Sequence, residues 1–392
     1  MLLPEGTDYQ PPMRLVMGPQ CLLRLGELAS DFARRRVLLV TDPGVKAAGH
    51  VARAVTSLEQ AGLSVHVFDR VIENPTTREV AVCVEVAKSV KPELIVGLGG
   101  GSSMDTAKGC NFIYTNGGQM ADYWGVGKAS KAMLPLIAIP TTAGTGSECQ
   151  SFALIADAKT HRKMACGDTK ATPVVSVLDP VLTLTQPFAV AAATGIDALT
   201  HALESAVTQK RNAVSACYAR EAFKLTVNSL RTVLESPDDL EARTRMQMGA
   251  AYAGLAIENS MLGAVHAAAN PLTSHLKVTH GFAVGMMLPT LLRYNGEDPM
   301  VKSIYRDLAL HAQLVDERAS AEEALSAIIA KIRQILSQAD VPFRQVAERL
   351  DRETIEILSV AAQKEWTGTF NPRAMNVATF SQLYRDTFAS SA

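Results

Sequence analysis

Leu94-Ile-Val-Gly-Leu-Gly-Gly-Gly-Ser-Ser-Met-Asp105 is the stretch that decides the fold. Leu94 to Leu98 is an apolar run without a polar face, as in a strand covered on both sides. Glycines follow, and a helix is expected to open at about Ser102. A strand, a glycine turn and a helix in that order leave free backbone N–H groups and a partial positive charge at the carboxyl end of the strand. That is an anion site. The pattern is neither the Gly-x-Gly-x-x-Gly fingerprint nor a P-loop, because no Gly-Lys-Ser/Thr follows. A plain tight glycine turn would look similar.

The neighbouring sequence repeats the alternation. Arg36 to Thr41, Leu63 to Phe68, Leu136 to Pro140 and Val174 to Leu178 read as further strands. Val51 to Gln60 and Glu79 to Val90 show the three-and-four spacing of amphipathic helices. Strands alternating with helices imply right-handed crossovers and a mostly parallel sheet. After about residue 187 the strand signal stops. Ala189 to Thr208, Ser215 to Leu234, Leu240 to Ser260 and Ala321 to Gln338 read as helices, the last with Ser320 as its N-cap. The expected organisation is an α/β nucleotide-binding domain at 1–187 and an all-helical domain at 188–392. A cleft between them would be the natural ligand site.

Composition narrows the class. The chain has 392 residues, 47% hydrophobic and 20% charged, with a formal net charge of -1. That balance gives no electrostatic case for nucleic acid or an anionic membrane. The six cysteines stand singly, without the Cys-x-x-Cys spacing of a zinc or redox pair. Asn259 to Leu276 is long enough to span a bilayer, but Asn259, His266, Asn270, Pro271 and His275 make it too polar. Met1-Leu-Leu-Pro-Glu5 shows no basic region followed by an apolar one, so no signal peptide is expected. A cytoplasmic protein is expected.

Two further groups of residues carry chemistry. Pro140-Thr-Thr-Ala-Gly-Thr-Gly-Ser-Glu148 offers four hydroxyls and two glycines after a strand. With the first glycine turn it would suit a pyrophosphate and its sugars. Asp42 ends an earlier strand, where a carboxylate accepts from ribose hydroxyls, although Asp42 before Pro43 also suits a plain turn. In the helical half, Asp197 and His201 lie four apart in Gly195-Ile-Asp-Ala-Leu-Thr-His201, on one face of a helix. His266 and His280 follow. One carboxylate and three imidazoles would make a ligand set for a divalent metal, against the alternative of hydrogen-bonded core histidines. His275 competes with His280 as a ligand. Gly285-Met-Met-Leu-Pro289 reads as core.

These four motifs, with Met17-Gly18, Glu73-Asn-Pro-Thr76 and Asn371-Pro-Arg373, resemble the iron-containing, group III alcohol dehydrogenases over nearly the whole chain. The resemblance implies a dehydroquinate-synthase-like fold: a Rossmann-like α/β domain followed by a helical metal-binding domain. It implies metal ligands at Asp197, His201, His266 and His280, with His280 also at the catalytic centre. It implies dinucleotide contacts at Asp42, Asn74, Gly100, Gly101, Ser102, Asp105, Thr141 and Thr142. By position, Thr145, Ser147, Lys163 and Leu182 join them. The implied cofactors are NAD(H) and Fe2+, with Zn2+ as the alternative ion. The implied partner is a small alcohol or aldehyde, and the implied assembly is a homodimer or larger homo-oligomer.

One position departs from the family. Many relatives carry His-x-x-x-His after the third ligand, where this chain has His266-Ala-Ala-Ala-Asn270. Asparagine does not titrate near neutral pH, so a proton relay through this catalytic candidate gives way to water or the ribose hydroxyls. The expected activity is reversible hydride transfer between nicotinamide and an alcohol. The alternative on the same fold is a reductase of a polyol, phosphonate-aldehyde or maleylacetate type.

Overall fold

The computed structural model of the chain describes residues 13–33, 35–160 and 162–389. The chain parts into two compact units, one ending at Gln186 and the other beginning at Pro187.

The first unit is built on a six-stranded sheet. Its strands are β1 (Arg14–Met17), β2 (Arg36–Val40), β3 (Ser64–Phe68), β4 (Leu94–Gly99), β6 (Leu136–Pro140) and β9 (Val175–Leu178). They lie in the order β1-β9-β6-β4-β2-β3, and every neighbouring pair is parallel. The continuous apolar runs follow from cover on both faces. Along β2, Val37 and Leu39 pack into one core with Leu22, Leu25 and Leu58, while Leu38 and Val40 pack into the other with Val80, Val84 and Phe112.

Five helices accompany these strands: α1 (Leu25–Ser30), α2 (Pro43–Ala47), α3 (His50–Gln60), α4 (Thr77–Val90) and α5 (Gly101–Asn116). α4 starts at a capping box in which Thr76 and Glu79 bond each other's backbone N–H groups. A smaller sheet, absent from the sequence reading, has β5 (Gly125–Val126), β8 (Lys163–Gly167) and β7 (Phe152–Ala156) side by side in that order. In it β7 and β8 pair antiparallel, and β5 joins β8. The Asp157 side chain closes the hairpin by accepting from the backbone of Lys159 and Thr160.

The second unit is helical throughout its described residues. It runs α6 (Phe188–Ser205), α7 (Ala213–Glu235), α8 (Leu240–Ser260), α9 (Ala264–Leu276), α10 (His280–Asn295), α11 (Pro299–His311), α12 (Ala321–Gln338), α13 (Phe343–Ala347), α14 (Arg352–Gln363) and α15 (Val377–Ala389). α6 is the buried centre: from Ala191 to Ser205 only Thr194 is not fully covered. A helix apolar around most of its circumference belongs inside. Ser320 caps α12 through a full capping box with Glu323. Among the described helices none is long and apolar enough to cross a membrane, and residues 259–276 form the end of α8 and all of α9.

Candidate functional site

Helix periodicity assembles the centre of the second unit. Asp197, His201 and Glu204 stand at i, i+4 and i+7 of α6, so all three face the same way. α9 brings His266 against them, and His280 arrives as the first residue of α10. Asp197 Oδ1 lies 3.2 Å from His201 Nε2, 3.2 Å from His266 Nε2 and 3.8 Å from His280 Nε2. The ligand atoms of Asp197, His201 and His266 all fall within 4.8 Å of one another. Asp197, His201 and His266 are buried, while the His280 side chain is 30% exposed and marks the open side.

This donor set fits a divalent ion. Two donors each about 2.1 Å from one ion are separated by about 3.0–3.4 Å at octahedral or tetrahedral angles. The 3.2 Å separations meet that spacing, and His280 needs to approach by only about half an ångström. His275, by contrast, is exposed on the last turn of α9 and is not among the histidines that converge on Asp197.

Glu204 is the residue the motifs did not announce. One carboxylate oxygen accepts from the Val265 N–H at 2.7 Å, and the other bonds His266 Nδ1. With Nδ1 so engaged, His266 keeps Nε2 aimed at Asp197, the orientation a ligating imidazole needs. Burial disfavours charge on His266, but the Glu204 and Asp197 carboxylates outweigh it and raise its pKa to about 9. Burial also pushes Asp197 up, yet the surrounding imidazoles hold it well below the ordinary carboxylate range. A divalent ion held here would take the place of the proton on His266 Nε2.

In the first unit, the two glycine loops meet at the carboxyl edge of the sheet. The Thr141 N–H donates to Gly99 O at 3.0 Å, tying the end of β6 to the end of β4. Gly99 has φ +149, and a Cβ there would lie 2.3 Å from Ser103 Oγ, so the turn admits no side chain. A Cβ on Gly101 would meet the Thr145 side chain at 2.8 Å, and one on Gly100 would meet Thr142 at 3.4 Å. Asn74, with φ 52, donates its backbone N–H to Ser102 Oγ at 3.3 Å. Asp42 caps α2 through Val45 N at 3.0 Å and also accepts from Ser103 Oγ at 3.3 Å. Asp42 thus shapes a turn and stands beside the glycine loop. Asp42, Asn74, Gly100, Gly101, Ser102, Thr141, Thr142 and Thr145 gather at this edge.

Four other candidates, Asp105, Ser147, Lys163 and Leu182, sit elsewhere. Asp105 is buried behind the loop, where it accepts from Ser147 Oγ at 3.1 Å. Burial raises its pKa to about 6 against the opposing charges of Lys108 and Lys163. Asp105 and Ser147 thus brace the second loop from within. Lys108 completes the brace. Fully buried, its ammonium donates to Ser147 O at 2.6 Å, Ser147 Oγ at 3.0 Å and Phe152 O at 3.0 Å. Leu182 is wholly buried in one core of the sheet, packed as an apolar residue should be, and presents no side-chain surface to a ligand. Lys163 is exposed at the start of β8, in the small sheet.

The second loop also contains a carboxyl group sensitive to pH. Burial raises Glu148 from the ordinary 4.5 to about 7, with Lys108 opposing. The folded state therefore holds this proton more tightly than the unfolded chain. Its contribution is present in full below 4.5 and is lost as pH rises through about 7. The loss amounts to about 3 kcal/mol. Between about pH 5 and about pH 8 the thermal midpoint of the unmodified protein should fall more than that of Glu148→Gln. Equal pH dependence in calorimetry of the two proteins would show that Glu148 is ionised throughout.

The sequence places these sites in a known lineage. Residues 12–180 match the family model described as iron-containing alcohol dehydrogenase. Residues 191–388 match the one described as Fe-containing alcohol dehydrogenase family, C-terminal. Alcohol dehydrogenase 4 of Schizosaccharomyces pombe is 35% identical over 370 residues, covering 94% of this chain and 86% of its own. The NAD-dependent methanol dehydrogenase of Bacillus methanolicus is 31% identical over 384 residues, covering 97% and 99%. Among solved structures, the alcohol dehydrogenase from Oenococcus oeni aligns with a TM-score of 0.92 at 29% identity, over 97% of this chain and all of the other.

Proposed function

This chain belongs to the iron-containing alcohol dehydrogenase family, and from that premise we propose that it interconverts a small primary or secondary alcohol and its carbonyl compound, using NAD(H) and one divalent ion held by Asp197, His201, His266 and His280. The observation that carries the proposal is the buried convergence of Asp197, His201 and His266, with His280 on the open side. In such a donor set a divalent ion supplies Lewis acidity toward a substrate oxygen, and a nicotinamide supplies or accepts the hydride. Fe2+ is the ion proposed, with Zn2+ the alternative the same ligands accept.

The chain's own residues do the rest. Asp197 contributes the negative charge that offsets a cation. Glu204 holds the ring orientation of His266 before any ligand arrives, so little reorganisation is needed. The glycine loops offer backbone N–H groups to a pyrophosphate, and Asn74, Ser102, Thr142 and Thr145 offer polar contacts beside it. Asn270 carries no proton that titrates near neutral pH, so it would not relay the alcohol proton, a task that water or cofactor ribose hydroxyls would take. The same reading takes the enzyme to be a homodimer or larger homo-oligomer, as the family resemblance implies, and cytoplasmic, as its singly placed cysteines suggest. Incubating the purified protein with Fe2+ or Zn2+, NAD+ and a panel of alcohols, and following reduced nicotinamide, tests the proposal. Turnover of no alcohol or aldehyde with either ion would overturn it.

Cofactor choice follows from Asp42. Its carboxylate stands by the first glycine loop and would accept from the adenosine ribose while repelling a 2′-phosphate. NAD(H) should be preferred over NADP(H) by about 1–3 kcal/mol. Asp42→Gly should narrow or reverse that preference, and glycine at an N-cap costs α2 only a few tenths of a kcal/mol. Steady-state kcat/KM with both cofactors measures it. Equal use of both by the unmodified enzyme would remove Asp42 from the cofactor site.

A further inference from the structure

The departure at Asn270 has a partner that the sequence does not reveal. Asn270 Nδ2 donates to Glu365 Oε2 at 2.8 Å. Glu365 lies at the entry to the short turn Trp366–Phe370, which packs on α9: a Cβ on Gly368 would stand 3.2 Å from Ala267 Cβ. A carboxylate only accepts, so the amide nitrogen must face Glu365 and the amide oxygen is turned away from it. Asn270 Oδ1 has no donor among the described residues. Asn270 also follows His266 by four positions on α9, which puts the two side chains on one face, about 5–6 Å apart at Cβ. Like His280, and unlike the three buried ligand candidates, Asn270 is only half-buried.

We propose that Asn270 and Glu365 form a specificity pair: Glu365 fixes the amide so that Asn270 Oδ1 accepts a hydrogen bond from a second donor group on the substrate, a hydroxyl or an ammonium, and its charge disfavours anionic substrates. This rests on the oxidoreductase reading above. Its chemistry is elementary. A substrate oxygen held at the four-residue centre leaves the rest of the molecule within reach of the next turn of α9. There it meets an oriented acceptor backed by a half-buried carboxylate. A second hydroxyl or an ammonium satisfies that acceptor, a methyl group leaves it unpaired, and a carboxylate or phosphonate is repelled. Glu365 acts through Asn270 and is a positioning residue.

The test compares 1,3-propanediol with 1-propanol, and 1,4-butanediol with 1-butanol, for the unmodified enzyme and for Asn270→Ala, Glu365→Ala and Glu365→Gln, with metal content measured alongside. The unmodified enzyme should favour the diols. Asn270→Ala and Glu365→Ala should each lower the diol-to-monoalcohol ratio of kcat/KM about fivefold or more, through KM for the diol. Glu365→Gln should retain the ratio, because its amide oxygen accepts the same hydrogen bond from Asn270. The same Glu365→Gln variant should improve turnover of 3-hydroxypropanoate about fivefold, because the repelling charge is gone. A ratio unmoved in Glu365→Ala overturns the inference while leaving the oxidoreductase reading intact. So does an equal loss on diol and monoalcohol that follows metal content, which would make the pair a structural tie. Turnover of no alcohol by the unmodified enzyme overturns both.

Discussion

If the proposed site holds, His266→Ala should bind no divalent ion and show almost no turnover, because it removes a proposed ligand and also breaks the pairing of two buried carboxylates. Removing an outer hydrogen-bond partner of a metal ligand costs about 10–100-fold in affinity, and removing the ligand itself should cost more. The structure adds a second consequence. Without the imidazole, Glu204 keeps, among the described residues, the Val265 N–H alone, and Asp197 loses one of its compensating neighbours. A buried charge left without its partner costs about 3–5 kcal/mol, so His266→Ala should also unfold at a lower temperature. His201→Ala separates the two effects, since it leaves the bond between Glu204 and His266 in place. It should lose the ion with a smaller loss of stability. Normal rates and a full equivalent of metal in His266→Ala would remove that residue from the site.

Gly281→Ala should be nearly as damaging, although residue 281 is not among the proposed ligands. A Cβ there would stand 1.9 Å from Ala193 O and 2.5 Å from Ala193 C, both backbone atoms of α6. No side-chain rotation relieves such a clash. The start of α10 must move away from α6, and His280 is the first residue of α10. Overpacking of this kind costs about 3 kcal/mol or more. Here it also draws His280 away from Asp197. The expected variant folds with a lowered thermal midpoint, binds metal weakly and turns over slowly. Unchanged metal affinity in a calorimetric titration would show that the close approach of the two helices does not set the His280 position.

How far the sequence carried the reading follows from which residues act locally. The strands β2, β4, β6 and β9 were legible because a parallel strand covered on both faces is a nearly continuous apolar run, and β3, at the sheet edge, from its alternating valines Val65 and Val67. β4, Leu94–Gly99, is buried at all six positions. Asp197 and His201 were legible because four residues is one helical turn. Glu204 could have been found by extending the same face to i+7, yet its neighbours Leu203 and Ser205 give it no motif of its own. β7 and β8 were missed because one runs beside the glycine loop and the other begins with Lys163 after a polar turn. Lys108 reads as an ordinary helix lysine in sequence, and only the fold shows its ammonium buried among the carbonyls of residues 147 and 152. The tie between Asn270 and Glu365 spans 95 residues. No local pattern encodes it. Leu182, assigned to the cofactor by resemblance alone, has its side chain wholly inside one core of the sheet.

The central claim is that one divalent ion is held by Asp197, His201, His266 and His280. Anomalous X-ray diffraction at the iron edge, from crystals of the unmodified protein grown anaerobically with Fe2+, tests it most directly. The account predicts one strong peak per chain, about 2.0–2.2 Å from Asp197 Oδ1 and from Nε2 of each of the three histidines. A crystal with intact electron density for those four side chains and the iron peak elsewhere, or no peak at all, would contradict it.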